Sequence, residues 1–363
     1  MKKILLVKLG ALGDLSYALP AAKALKNTIS DCHLTWLVGK TYHSFLKGHS
    51  YIDELIVIDD KKLYAKNIFV RLLELCKLIY QLGGRFDCVL ILHRDKVYHR
   101  IFQFFTKNPI FQLVREKTNT PSQIPVAPLT THESLAIKKC VEAAIQSMAP
   151  ASPPISWQWD YSHIQPAAIP LPSSFCLLHI GGGVNAKTEF QLKRWPHWEE
   201  LILDLLAKTP LNLVFIGAPS EEEDYKKIEK KIRQFHEDKM ARCFNLIGKM
   251  NVPELTDVIR RSDFLIGVDS GPLHIADSMD KITLGLFGPT SPISWGLLSN
   301  NGQVFHEAVS CSPCYKDDGY FPECPHEHRC MRSLSPKRVL SAILDKSRKH
   351  IPDDSLTEYS SSK

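Results

Sequence analysis

The sequence predicts an α/β fold of two domains, each a parallel β-sheet layered with helices. At 363 residues the chain is long for one core and comfortable for two. Short apolar runs of strand length alternate with stretches at helical spacing, as in a parallel sheet with crossover helices. Twice, near residue 3 and again near residue 175, a strand runs into a glycine-bearing turn and then a helix.

In the first domain, residues 3–9 form a strand and GALGD (10–14) the turn after it. Residues 15–27 form the next helix, with Leu15, Ala18, Leu19, Ala22 and Leu25 at helical spacing. The turn is not GxGxxG, so a dinucleotide fingerprint fits poorly. Asp14 has two readings: an N-cap accepting free backbone N–H groups, or a carboxylate at a crevice mouth, poised as a general base. LTWLV (34–38), ELIVID (54–59) and DCVLIL (87–92) supply the second to fourth strands, with amphipathic helices between them. Lys61, Lys62 and Lys66 follow the third strand, and His93, Arg94, Lys96 and Arg100 follow the fourth. Both clusters begin where a parallel strand ends, the edge at which such sheets bind ligands. An anion-binding role therefore stands beside a merely solvated one. Thr131-His132-Glu133 opens a helix that runs through Met148.

Composition narrows the function. Hydrophobic residues at 44% and charged residues at 23% suit a soluble globular protein. No apolar run reaches the roughly 18 residues that cross a bilayer. Lys2-Lys3 and the apolar run after them imitate a secretory signal, but Lys8 and Asp14 interrupt it and a strand fits better, so a cytoplasmic protein is expected. Ten cysteines without even pairing suit a reducing compartment. The net charge of +6 divides into +9 for residues 1–150 and −3 for the remainder. A basic half without a nucleic-acid motif suggests an acidic substrate or an anionic membrane surface.

The Pro-rich stretch from Ala149 to Ser174, with Trp157, Trp159 and Tyr161, reads as an inter-domain linker stiffened by its aromatics. FCLLHIGGG (175–183) then starts the second domain with a strand and three glycines. Such a turn lets backbone approach a phosphate, and Lys187, Lys193 or Arg194 can neutralise it; the bland alternative is flexibility and solubility. LVFIGAPSEEEDY (213–225) ends a strand before an acidic helix start, where Glu221 and its neighbours complement the helix dipole. FNLIGKM (244–250) is a strand and turn, with Met250 at its end.

The densest chemistry lies between Ser262 and Trp295. Two apolar strands, 263–268 and 282–288, flank Asp269-Ser270-Gly271-Pro272 and the short helix LHIADSM. Pro272 suits a helix start, Gly271 permits close approach, and the open helix N-terminus points N–H groups at one spot. An anion, above all a diphosphate, is expected there. Asp269, Ser270 and His274 crowd the same turn, and a second turn, GPTSP (288–292), follows the next strand. Farther on, Cys311, Cys314, Cys324 and Cys330 have one C-x2-C pair without a matching second; zinc and reduced packing thiols both remain open. Ser335-Pro336 starts a last helix to about Lys349, and a disordered tail is expected after it.

VDSGPLHIA followed by LFGPTSP resembles the nucleotide-sugar signature of glycosyltransferase family 9, the lipopolysaccharide heptosyltransferases. The resemblance covers most of residues 1–345, strongest at 3–20, 181–196 and 262–295. It implies a GT-B fold: two Rossmann-like domains with parallel sheets facing a central cleft. The expected division is 1–150 for the acceptor domain, 151–174 for the linker, 175–350 for the nucleotide-sugar domain and 351–363 for the tail. It further implies inverting transfer of heptose from ADP-heptose to a Kdo or heptose of the lipopolysaccharide core on lipid A. Peripheral contact with the inner membrane is implied as well, with no nucleic acid partner, metal or cofactor. Asp14 and Lys193 are the implied catalytic residues. Glu221, Met250, Asp269, Ser270, Gly271 and His274 are placed at the donor, and Lys61, Lys62 and Arg94 at the acceptor. A nucleotide-sugar hydrolase or epimerase on the same scaffold, and a non-catalytic sugar-nucleotide binding protein, are the competing readings.

Overall fold

The computed structural model describes residues 1–59, 62, 67–82, 86–103, 106–115, 120–126, 130–183, 191–315 and 323–347. Lys61, Lys66, Lys187 and the expected disordered tail lie outside these. The chain forms two compact units, the first running from Met1 to Gln165 and the second beginning at Pro166. No helix among the described residues is long and apolar enough to cross a membrane.

The first unit is built on a six-stranded sheet: β1 (Lys2–Val7), β2 (Cys32–Gly39), β3 (Glu54–Ile58), β4 (Cys88–Ile91), β5 (Ile110–Val114) and β6 (Gln123–Pro125). Their order is β3-β2-β1-β4-β5-β6 and every pairing is parallel. Ile4 to Val7 are wholly buried because helices cover both faces of the sheet. The helices Leu12–Thr28 and Glu133–Met148 pack together on one face. Ile68–Leu82 and Lys96–Gln103 send Leu78, Leu82, Tyr98 and Phe102 into one core cluster with β1, β3 and β4.

The second unit repeats the plan with β7 (Cys176–His179), β8 (Leu213–Ile216), β9 (Cys243–Asn245), β10 (Phe264–Val268), β11 (Ile282–Phe287) and β12 (Gly302–His306). The order is β12-β11-β10-β7-β8-β9, again all parallel. The strand order reverses beside the first strand of each unit, between β1 and β4 and between β7 and β10. In sheets of this kind the carboxyl edge at such a switch point is where ligands bind.

The Pro-rich segment is held at both ends. Trp157 Nε1 donates to Ser134 Oγ at 3.0 Å, and Trp159 Nε1 donates to the Ser16 carbonyl at 2.8 Å, both within the first unit. Within the second, Asp257 accepts from the Ala167 N–H at 2.9 Å and Arg261 donates to the Ile169 carbonyl at 3.1 Å.

Candidate active site

At the switch point of the first unit a cation comes first. Lys8 follows β1, is almost wholly buried, and donates to the Leu92 carbonyl at 3.0 Å. A buried ammonium needs counter-charge, and Lys8 has two carboxylates at 3.4 Å, Asp14 and Glu133. Arg94, after β4, pairs with the other oxygen of Glu133. Burial would raise the Glu133 carboxyl, but Arg94 and Lys8 outweigh it and hold it below its ordinary value. His93 accepts the Leu9 N–H through Nε2 at 2.9 Å. Burial, with Lys8 and Arg94 nearby, pushes its pKa far down, so the ring is neutral, as that bond requires.

Two expectations change here. Asp14 is not a cap: Ala11 takes that position without a side-chain bond, and Asp14 sits in the first turn, turned toward Lys8. Arg94 is not one of a row of surface cations, because the buried Glu133 draws it inward. Lys62 remains exposed, 3.7 Å from Asp59. In the sequence Glu133 stands out only as part of a helix start. His132 is the N-cap, accepting the Ser134 N–H at 3.2 Å.

The switch point of the second unit gathers more of the predicted residues. Helix Gly271–Ser278 begins after Ser270, with Pro272 in its first turn. Pro272 has no N–H, so the donors at this open end are those of Ser270, Gly271 and Leu273. Lys193, in a short 3₁₀ turn, donates to the Asp269 carbonyl at 2.8 Å and to its Oδ2 at 2.9 Å. His274 Nε2 lies 2.8 Å from the other Asp269 oxygen. Burial would raise the Asp269 carboxyl; Lys193 and His274 overcome this and hold it well below its ordinary value. Asp269 thus fixes a cation and an imidazole beside a helix N-terminus, an arrangement that neutralises a leaving anion.

Glu221 is fully buried, and its oxygens are taken up within the second unit itself. One oxygen accepts the Gly183 N–H at 3.0 Å; the other accepts the Ala218 N–H at 2.8 Å and lies 3.3 Å from His179 Nε2. His179 Nδ1 in turn lies 2.8 Å from Ser270 Oγ. The glycines leave room for this carboxylate: a Cβ on Gly181 would lie 1.7 Å from its Oε1, and one on Gly217 would lie 2.4 Å from Oε2. Gly181 therefore makes room for Glu221, and Glu221 ties the turn after β7 to Ser270 through His179. Met250 is half-buried, just before helix Val252–Arg261.

Burial alone would raise the Glu221 carboxyl, but the His179 charge and the three hydrogen bonds hold it at about 2, against an ordinary 4.5. The unfolded chain then takes up this proton more readily than the folded one. The contribution of Glu221 is complete above about pH 4.5 and lost as pH falls toward 2, about 3 kcal/mol in all. Denaturant unfolding of wild type and Glu221→Gln should show a stability difference that shrinks by about this amount across that window. A difference that does not change with pH would detach the glycine turn from the charge of Glu221.

The late cysteines are all unpaired thiols. Cys330 packs beneath Gly288, and burial pushes its thiol up to about 11. Among the described residues no three His, Cys, Asp or Glu side chains are grouped to hold a metal ion.

The sequence model of glycosyltransferase family 9 (heptosyltransferase) matches residues 179–323, the stretch from His179 through the turns at 269–272 and 288–292. Over this stretch the chain is similar to glycosyltransferase family 9. It is 25% identical over 349 residues to lipooligosaccharide heptosyltransferase 2 of Campylobacter jejuni, covering 92% of this chain and 95% of that one. Lipopolysaccharide heptosyltransferase 1 of Escherichia coli is 21% identical over 318 residues, 83% of this chain and 91% of its own. A family 9 glycosyltransferase from Veillonella parvula has the same fold, with a TM-score of 0.68 at 18% identity over 96% of this chain and 97% of that one. So has an Escherichia coli heptosyltransferase solved with ADP, with a TM-score of 0.68 at 19% identity over 95% and 99%. The two-sheet plan is thus the GT-B plan of this family.

Proposed function

We propose that this glycosyltransferase moves a heptose, with inversion, from ADP-heptose to a Kdo or heptose of the lipopolysaccharide inner core. The observation that carries the reading is the Lys193–Asp269–His274 cluster at the N-terminus of helix Gly271–Ser278, inside the segment the family model matches. The names of the relatives support heptose as the transferred sugar and a lipopolysaccharide acceptor. The name of a structural neighbour, an Escherichia coli ADP-heptose heptosyltransferase, supports the donor class. In the reaction the acceptor oxygen bonds to the anomeric carbon as the bond from that carbon to the diphosphate breaks. The electron pair leaves with ADP and the acceptor proton passes to Asp14. Lys193 and the N–H groups of Ser270, Gly271 and Leu273 meet the growing charge on the diphosphate. His274 and Asp269 orient that group, and Met250 lies on the nucleotide side. Lys61, Lys62 and Arg94 serve the anionic acceptor, met at the cytoplasmic face of the inner membrane.

Incubation with ADP-heptose and a truncated core acceptor, read by mass spectrometry, tests this. The acceptor should gain one heptose with release of ADP. Donor consumed equally without acceptor would make the protein a hydrolase. Lys193→Ala should weaken ADP by about 1.5–3 kcal/mol, roughly 10–150-fold, as for a charge-assisted hydrogen bond. Equal calorimetric affinities would remove Lys193 from the donor site.

A further inference from the structure

Helix Ile68–Leu82 keeps its largest apolar groups on the outside. Its inward stripe is Glu74, Leu78 and Leu82, one turn apart and buried. Even Glu74 is engaged internally, accepting the Asp59 N–H at 3.0 Å and pairing with Lys77 at 3.6 Å. At about 100° per residue, Leu72, Phe69, Tyr80 and Leu73 fall within roughly 100° of the opposite side. There Phe69 is 74% exposed, Leu73 66% and Tyr80 89%. The helix already has its core contact, so among the described residues packing within this unit leaves this second apolar face unused. The neighbouring helix Lys96–Gln103, seated in the same core by Tyr98 and Phe102, adds exposed Val97.

Charge selects the occupant. The two helices carry Arg71, Lys77, Lys96 and Arg100, and their one carboxylate, Glu74, faces inward. A second copy seated on this face would bring two sets of cations together. We propose that the face docks on an anionic lipid bilayer, with the apolar stripe at the acyl boundary and the cations among the head groups. The proposal rests on the heptosyltransferase reading in one respect: an acceptor on lipid A lies in such a surface.

Co-sedimentation with phosphatidylcholine–phosphatidylglycerol vesicles tests it. Wild type should bind these well above phosphatidylcholine alone and release in high salt. Leu73→Ser with Tyr80→Ser should lower binding by at least about tenfold, as should Phe69→Ser, with unchanged circular dichroism. Phe235→Ser, at an exposed position of the second unit, should bind like wild type. Failure of wild type to bind the anionic vesicles overturns the proposal, as does equal binding by all variants. A wild-type dimer in light scattering that the double variant makes monomeric also overturns it, assigning the face to self-association. Transfer separates the two readings: the double variant should keep activity on a deacylated, soluble acceptor and lose it on acceptor in vesicles. Vesicle binding that follows this pattern without transfer by wild type would leave docking standing and remove the heptosyltransferase reading.

Discussion

Asp14→Asn is expected to lower kcat for transfer by about 10²–10⁴ while the fold and ADP affinity stay near wild type. The loss is chemical, since an amide cannot take the acceptor proton. The fold should survive for reasons visible around the residue. Ala11 holds the N-cap position, so no capping bond is lost. Lys8 retains Glu133 at 3.4 Å as counter-charge, and the Asn carbonyl keeps an acceptor toward it. What disappears from stability is the favourable first-turn charge, about 0.3–1 kcal/mol. In the proposed mechanism donor affinity rests on the cluster around Asp269 in the other unit. Single-turnover transfer, calorimetry with ADP and thermal unfolding together read all three quantities. Near wild-type transfer by Asp14→Asn would move the base elsewhere, whereas lost activity with lost folding would make Asp14 a structural partner of Lys8.

The other large effect is expected at Asp269. Asp269→Ala should destabilise the protein by about 3–5 kcal/mol, because it leaves the buried Lys193 ammonium without its carboxylate and His274 without its acceptor. Asp269→Asn should cost less, since an oxygen remains for Lys193, yet it should still weaken ADP by letting Lys193 and His274 lose their fixed positions. Denaturant unfolding and calorimetry on the two variants give the comparison. If Asp269→Ala unfolds within about 1 kcal/mol of wild type, Lys193 is not held by this charge.

These residues also show what could be read before folding. The DSGP turn was legible because strand, small residues, Pro272 and His274 lie within one short stretch, where local geometry almost determines the outcome. Three strands were not anticipated. β6 ends at Pro125 and β12 is only partly buried, and both are edge strands, whose weak apolar pattern follows from having a neighbour on one side only. β5 is interrupted by Gln112, a buried amide that donates to the His93 and Asp95 carbonyls at 3.1 and 2.9 Å and so shapes the loop after β4. A polar residue in a strand carries no sign of such distant partners.

The sequence alone determined that this is an α/β chain with two strand–glycine turn–helix units, and that Ser270–Leu273 form an open helix start. These depend on periodicity and on the conformational limits of Gly and Pro, which act within a few residues. Only the tertiary structure decided how the charges pair. Glu133 lies 125 positions from Lys8 and 39 from Arg94, and Asp269 lies 76 from Lys193. Such partners meet because parallel strand order brings the carboxyl ends of β1 and β4, and of β7 and β10, side by side. Burial there makes each pairing obligatory, since an unpaired charge in that setting costs several kcal/mol. The same physics gives Asp14 its partner Lys8 and seats Glu221 beneath a glycine turn.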